Sequence, residues 1–275
     1  MNIQAYEPLL VIDKSFAHAV KGGRMSELSR ERTLLMPRAF HYEVITTAPE
    51  KMYRTLVGLD EFRWVDKEVL LRSERDKGEQ CSSLELPRSF VNQEILSPAW
   101  RPSSDEIKVA EQYKEESVDS FLKLWDVLIE FEPPGFTSIE LVSTAGSEEE
   151  FIRLCEELQD KERIRTIAKE ASFPHAEKLE KTWFTFRFIQ AFGLQSLVLR
   201  RRYPNAKTEI SRKRLEHDFH DMDYLALGLH VGSLATEDIS PKLKKASIGW
   251  RYKLLEPMFQ LVVPSDVMNP KSIFD

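Results

Sequence analysis

Four carboxylates stand where a sequence of this kind can gather them. Asp13 follows the apolar run Leu9-Leu10-Val11-Ile12, and Asp238 follows Ser233-Leu234-Ala235-Thr236 and Glu237. Both runs read as short strands, and functional groups in open α/β sheets collect at the carboxyl ends of strands. Glu43 lies on the helix expected after Leu34-Leu35-Met36, and Asp221 near the start of the helix expected to lead into the second strand. Carboxylates packed together repel each other unless protons or cations balance them. Oxygen donors with no need of cysteine or histidine suit Mg2+ or Mn2+. Such an ion would activate a water and screen the charge that develops on a phosphate during in-line displacement. Asp218, one turn before Asp221, competes for the third place, because positions three apart share a helix face. Each acid also has a plainer reading: Asp13 as a helix cap, Glu43 and Asp221 as surface charges, Asp238 as a turn residue. With 45 acidic residues in the chain, spacing alone does not choose between the two.

The elements that must position these groups come in three stretches. The first strand is followed by an amphipathic segment, Lys14 to Leu28, broken at Gly22-Gly23. Leu34-Leu35-Met36 is a second strand stopped by Pro37, and Arg38 to Thr46 reads as the start of a helix. Proline at a helix start costs little, because the first N–H groups lack partners anyway. Residues from roughly 50 to 200 are dominated by helical patterns. Ser103-Ser104-Asp105-Glu106 marks one helix start, and Ser147 with Glu150 has capping-box spacing ahead of Phe151, Ile152, Leu154, Cys155 and Leu158. Pro133-Pro134-Gly135 separates two helices. The last quarter returns to alternation: a helix over Leu215–Val231, apolar over most of its surface, the strand Ser233–Thr236, and a strand Phe259–Val263 closed by Pro264-Ser265-Asp266. That order predicts an α/β fold with a mostly parallel sheet and a large helical insertion.

Composition sets the outer limits. At 42% hydrophobic and 31% charged residues over 275 positions, the chain can bury a sizeable core and is not of the disordered class. A net charge of −6 argues against nonspecific nucleic-acid binding through global charge, but a local basic patch can still provide it. The best such patch is Arg200, Arg201, Arg202 and Tyr203, continued by Lys207, Arg212, Lys213 and Arg214. Arginine and lysine neutralise phosphates and a tyrosine can stack on a base; the alternative is a solvated face. His217 and His220 flank the candidate acids, and ordinary helix histidines are the simpler reading. Trp183, Phe184, Phe186, Phe188 and Phe192 have the helical spacing of a core. Two cysteines, Cys81 and Cys155, support no disulfide framework and point to a reducing compartment. No apolar run approaches the length of a signal-peptide core or a membrane span, so a cytoplasmic location with no membrane partner is expected.

Four stretches, VIDKSFAHA, LLMPRAFHYEVI, HDFHDMDYLALGLHVGSLATED and FQLVVPSDV, together resemble the PIN-domain nucleases. In that family an aspartate ends the first strand, a glutamate follows a strand–proline–helix step, a third acid sits on a helix of small and apolar residues, and Thr-x-Asp ends the next strand. Asp13, Glu43, Asp221 and Asp238 fall on those positions, and Ser15 and Thr236 fall on the supporting polar ones. The resemblance covers roughly residues 8–50 and 212–268. It implies a three-layer α/β fold over residues 1–275 as a single domain, with residues 50–200 as a mostly helical insertion. It further implies Mg2+- or Mn2+-dependent hydrolysis of phosphodiester bonds, most often in RNA, with DNA as the other substrate class. Many bacterial members are toxins of toxin–antitoxin pairs, which raises a toxin or defence role with a cognate inhibitor protein. The insertion is open to three uses: binding substrate, forming a homodimer or holding the inhibitor. Lys14 departs from the small or uncharged residue usual after the first aspartate; its ammonium could pair with a carboxylate and compete with a metal, or point away. That departure motivates the other reading, a catalytically inactive PIN-like scaffold that binds RNA or protein.

Overall fold

A computed structural model describes residues 9–20, 22–47, 56, 59, 62–81, 101–130, 153, 156–202, 212–237 and 260–262. Two compact units emerge. One comprises Met1–Asp66, Leu86–Glu111 and Val231–Asp275, the other Lys67–Glu85 and Gln112–His230.

The first unit is built on a five-stranded sheet: β1 (Leu9–Ile12), β2 (Thr33–Pro37), β3 (Phe62–Val65), β4 (Ser233–Ala235) and β5 (Gln260–Val262), in the order β3-β2-β1-β4-β5. Every pairing is parallel. Strand β1 lies centrally, with Val11 opposite Leu35 of β2 on one side and Leu234 of β4 on the other. Parallel strands covered on both faces need continuous apolar runs rather than alternation. That explains why Leu10, Val11, Ile12, Leu34, Leu35, Met36, Leu234 and Ala235 are all fully buried.

Helices α1 (Lys14–Ala19) and α2 (Gly22–Glu31) follow β1, and α3 (Arg38–Thr47) follows β2. The chain breaks between α1 and α2 just before the glycine pair, so that Gly22 opens the second helix rather than ending the first. Pro37 is the last residue of β2, opposite Val65, a position where a missing N–H is tolerated. Strand β3 was not expected from the sequence. It is four residues long, carries Arg63 in its middle and lies at the edge of the sheet, so it shows neither an apolar run nor clean alternation.

In the second unit, α4 (Lys67–Lys77), α6 (Lys161–Glu170), α7 (Phe184–Arg202) and α8 (Arg212–Val231) are the main described elements; α8 ends one residue inside the first unit's stretch. Helix α5 (Ser104–Glu130) runs across the boundary between the two stretches. Its start is a capping box: Ser103 Oγ accepts from Glu106 N at 3.2 Å and Ser103 N donates to Glu106 Oε2 at 2.7 Å. Of the five aromatics expected in a core, Trp183, Phe184, Phe186 and Phe192 are buried and Phe188 is half-buried.

A buried carboxylate ties this unit together. Glu74 of α4 accepts from Phe184 N and Thr185 N, both at 2.7 Å, and from Cys81 N at 3.0 Å. The first two are orphan donors at the start of α7, where a negative charge also meets the positive end of the helix dipole. Ser147, Phe151, Ile152, Leu154, Cys155, Pro133-Pro134-Gly135 and Pro264-Ser265-Asp266 lie outside the described residues.

Candidate functional site

The strand order places a topological switch between β1 and β4. From β1 the chain steps outward through β2 to β3, then returns to lay β4 on the other flank of β1 and β5 beyond it. In doubly wound sheets the crevice at that point, at the carboxyl ends of the strands, is where ligands bind. Asp13 and Thr236 are the residues that leave β1 and β4 at that edge.

Asp13 is held by several donors at once. It caps α1, its Oδ1 accepting from Ser15 N at 3.2 Å. Its Oδ2 accepts from Ser15 Oγ and from Thr236 Oγ1, each at 2.7 Å, although Thr236 is 223 positions away. Ser15 Oγ in turn accepts from Glu237 N at 3.1 Å, so each hydroxyl uses its one proton on the carboxylate. The backbone locks the same corner: Asp13 N donates to Ala235 O at 2.9 Å and Thr236 N to Val262 O at 3.0 Å. Asp13 is only 4% exposed and Thr236 fully buried. The helix-cap reading of Asp13 therefore holds, and the Ser15 and Thr236 hydroxyls both bond its carboxylate.

Glu43, the sixth residue of α3, is also buried. Lys14 does not point away: its Nζ lies 3.5 Å from Glu43 Oε1. A lysine next in sequence to Asp13 thus reaches the second carboxylate of the unit.

The other acids stand differently. Asp221 is ten positions into α8, not near its start, because Arg212 to Glu216 are good helix formers that extend the helix backwards. It belongs to the second unit. Asp218 is on the same helix, its side chain outside the described set; Asp238 and Lys207 lie outside the described residues altogether. Arg200, Arg201 and Arg202 end α7, and Arg212 and Arg214 open α8. His217 is exposed, whereas His220 is buried and stacks on Tyr113 at 6.5 Å, the behaviour of a core histidine. Among the described residues, no group of three or more His, Cys, Asp or Glu side chains is placed to hold a metal ion.

Two charged clusters escaped the sequence reading. Arg38, directly after β2, donates from Nε to Tyr42 Oη at 2.6 Å and from Nη1 to Asp66 Oδ2 at 2.8 Å. Asp66 directly follows β3, so the pair spans two strand ends at the same edge as Asp13. Burial lowers the Arg38 pKa, but Tyr42 and Asp66 outweigh it and leave the guanidinium raised above its ordinary value. Burial likewise raises the Tyr42 phenol. The neighbouring His41 is pushed down to about 4, chiefly by burial and further by Arg38, with Glu106 pulling the other way. In the second unit Asp223, two residues beyond Asp221, bonds Lys67 Nζ at 2.6 Å in a buried pair, with the ammonium 3.9 Å from the Phe219 ring centroid. The position of Arg38 just after β2 was a usable signal, whereas Asp66 follows a strand that the sequence does not mark. Lys67 offered none.

Among the described residues no helix is long and apolar enough to cross a membrane. No protein-family model, no curated protein and no solved structure matches the chain.

Proposed function

We propose that the protein is a metal-dependent nuclease of PIN-like type that hydrolyses phosphodiester bonds, with RNA as the first candidate substrate. One observation carries the reading: a buried aspartate at the carboxyl end of β1, on the switch point of a parallel sheet, bonded by Ser15 of α1 and by Thr236 just after β4. On this reading residues 1–275 form a single three-layer domain, and residues 50–200 are a mostly helical insertion that lends β3 to the sheet. A toxin or defence role, with an inhibitor protein as partner, follows from the resemblance alone.

The chemistry of the donor set fits a hard divalent cation. Within the first unit Asp13 and Glu43 offer carboxylate oxygens; Asp221, Asp238 and Asp218 are added by the resemblance alone. A bound Mg2+ or Mn2+ would supply an activated water and charge screening at the phosphate. What this chain's own residues contribute is orientation. The Ser15 and Thr236 hydroxyls fix the plane of the Asp13 carboxylate and keep it from turning. Lys14 pairs with Glu43 and supplies a countercharge to that buried acid.

That last contact also favours the second reading, a PIN-like scaffold that binds RNA or protein without cutting. An ammonium 3.5 Å from Glu43 supplies the countercharge that a metal would otherwise provide.

Cleavage of single-stranded and structured RNA and DNA oligonucleotides, in EDTA, Mg2+ or Mn2+, separates the two. The nuclease reading expects metal-dependent cutting that is lost in Asp13→Asn and increased in Lys14→Ala. Cutting untouched by Asp13→Asn would overturn the assignment of the site. A folded wild type that binds RNA, cuts nothing and takes up no Mn2+ by calorimetry would establish the scaffold.

A further inference from the structure

The carboxyl edge of the sheet carries a cation that neither reading uses. Continuing the register of β1 and β2 (Val11 opposite Leu35) sets Asp13 opposite Pro37, with Arg38 next. Adjacent strands are about 4.8 Å apart and one residue adds about 3.3 Å, so the backbones of Asp13 and Arg38 lie on the order of 6 Å apart. Tyr42 and Asp66 grip the guanidinium from Nε and Nη1, and the Tyr42 ring sits under it, 5.1 Å from centroid to Cζ. The side chain nevertheless remains 40% exposed. It is a planar, always-charged fork, held in one orientation and open to solvent, one strand away from the candidate catalytic aspartate.

We propose that Arg38 is a phosphate-binding residue that receives the nucleic-acid backbone beside the Asp13 corner, with Tyr42 and Asp66 acting as its positioning residues. The inference rests on the nuclease reading of that edge and adds to it the element that a chain of net charge −6 needs, a fixed local cation for a polyanion. Guanidinium planes bind phosphate oxygens in pairs, and a fork already oriented loses less freedom on binding than a loose lysine would. Asp66 has a second effect: it holds the fork in place and competes with phosphate for it, so contact with substrate exchanges one anion for another.

The test is equilibrium binding of a short fluorescein-labelled single-stranded RNA to the full chain in EDTA, so that nothing is cut, over a range of salt concentrations. Arg38→Gln should weaken binding about tenfold, equally for RNAs of different sequence, and reduce the slope of log affinity against log salt by about 0.7, the value of one single-strand phosphate contact. Arg38→Lys should keep the slope and recover part of the affinity. Asp66→Asn keeps an acceptor for Nη1 but removes the competing charge, so it should bind RNA more tightly than wild type. Equal weakening by Arg38→Gln and Asp66→Asn would make the cluster a structural clamp and overturn the proposal, as would an unchanged slope or a loss confined to one RNA sequence. If the wild type cuts RNA and Arg38→Gln leaves affinity and slope intact, the phosphate site falls and the nuclease reading stands. If nothing is cut but Arg38→Gln shows the expected loss, the site stands and the nuclease reading falls. No RNA binding by the wild type would overturn both.

Discussion

Replacing Thr236 by valine removes one hydroxyl and almost no volume, and its cost can be worked from the contacts. Thr236 Oγ1 gives its proton to Asp13 Oδ2 at 2.7 Å, from a fully buried position. Hydrogen bonds to charged groups contribute about 1.5–3 kcal/mol each, and a buried acceptor that loses one keeps the desolvation cost. Water does not easily replace the donor here, since both partners are buried. We therefore expect Thr236→Val to destabilise the folded chain by about 2 kcal/mol, read as a lower urea midpoint at unchanged slope. Ser15→Ala should cost less, because Ser15 is only partly buried and water can reach its place. The two hydroxyls share one acceptor oxygen and lie 3.3 Å apart, so the double variant should depart from additivity by about 0.5 kcal/mol or more. On the nuclease reading, Thr236→Val also frees the carboxylate to turn, and cleavage should fall by about tenfold while RNA binding in EDTA stays unchanged. A Thr236→Val protein within about 0.5 kcal/mol of wild type would refute the argument that these hydroxyls hold Asp13.

Further outcomes follow from the rest of the molecule. Glu74→Ala strands three buried amides, two of them at the start of α7, and should destabilise by about 3–5 kcal/mol in chemical unfolding; a loss below about 1 kcal/mol would contradict the role given to that carboxylate. His41 and His230 are both held neutral, their pKa values pushed down to about 4, chiefly by burial, with Arg38 and Arg187 respectively adding to the effect. An unfolded imidazole takes its proton near pH 6.5 and the folded ones only near 4. The stability these two histidines contribute is thus complete above pH 6.5 and is lost as pH falls toward 4. The loss is about 3 kcal/mol for each residue, and His41→Phe with His230→Phe should flatten the profile across that window.

What the sequence made legible divides along a physical line. Strands β1, β2, β4 and β5 could be read because buried parallel strands need short runs of apolar residues, and runs such as LLVI, TLLM and SLA are bounded by polar or proline stops. The start of α5 could be read because a capping box is local, its two partners three residues apart. Strand β3 could not, since FRWV at a sheet edge draws its pairing from Leu34 to Pro37 rather than from its own pattern. The site splits the same way. Asp13 was visible as the residue that follows the first strand, whereas Ser15 and Thr236 came only from the resemblance. The direction taken by Lys14 was not, because a flexible side chain chooses among carboxylates only once the fold brings them near. Lys67 and Asp223 show the extreme case: 156 positions separate them, and a buried ion pair has no sequence period. Asp221 was placed too early on its helix because Leu215 is its first apolar residue, whereas the helix begins with the charged residues before it.

The pairing of β1 with β4 joins strands that are synthesised far apart in time. Closing a loop of the 223 positions between Asp13 and Thr236 costs on the order of 5 kcal/mol of chain entropy before any ladder bond or side-chain contact offsets it. At ordinary rates of synthesis the interval between the two is roughly ten to forty-five seconds. Until β4 arrives, β1 can pair only with β2, leaving its other edge open and Asp13 without the Thr236 hydroxyl. The corner that carries the proposed chemistry therefore cannot assemble before β4 is made. Throughout that wait the flank of β1 is open to pairing with the wrong partner.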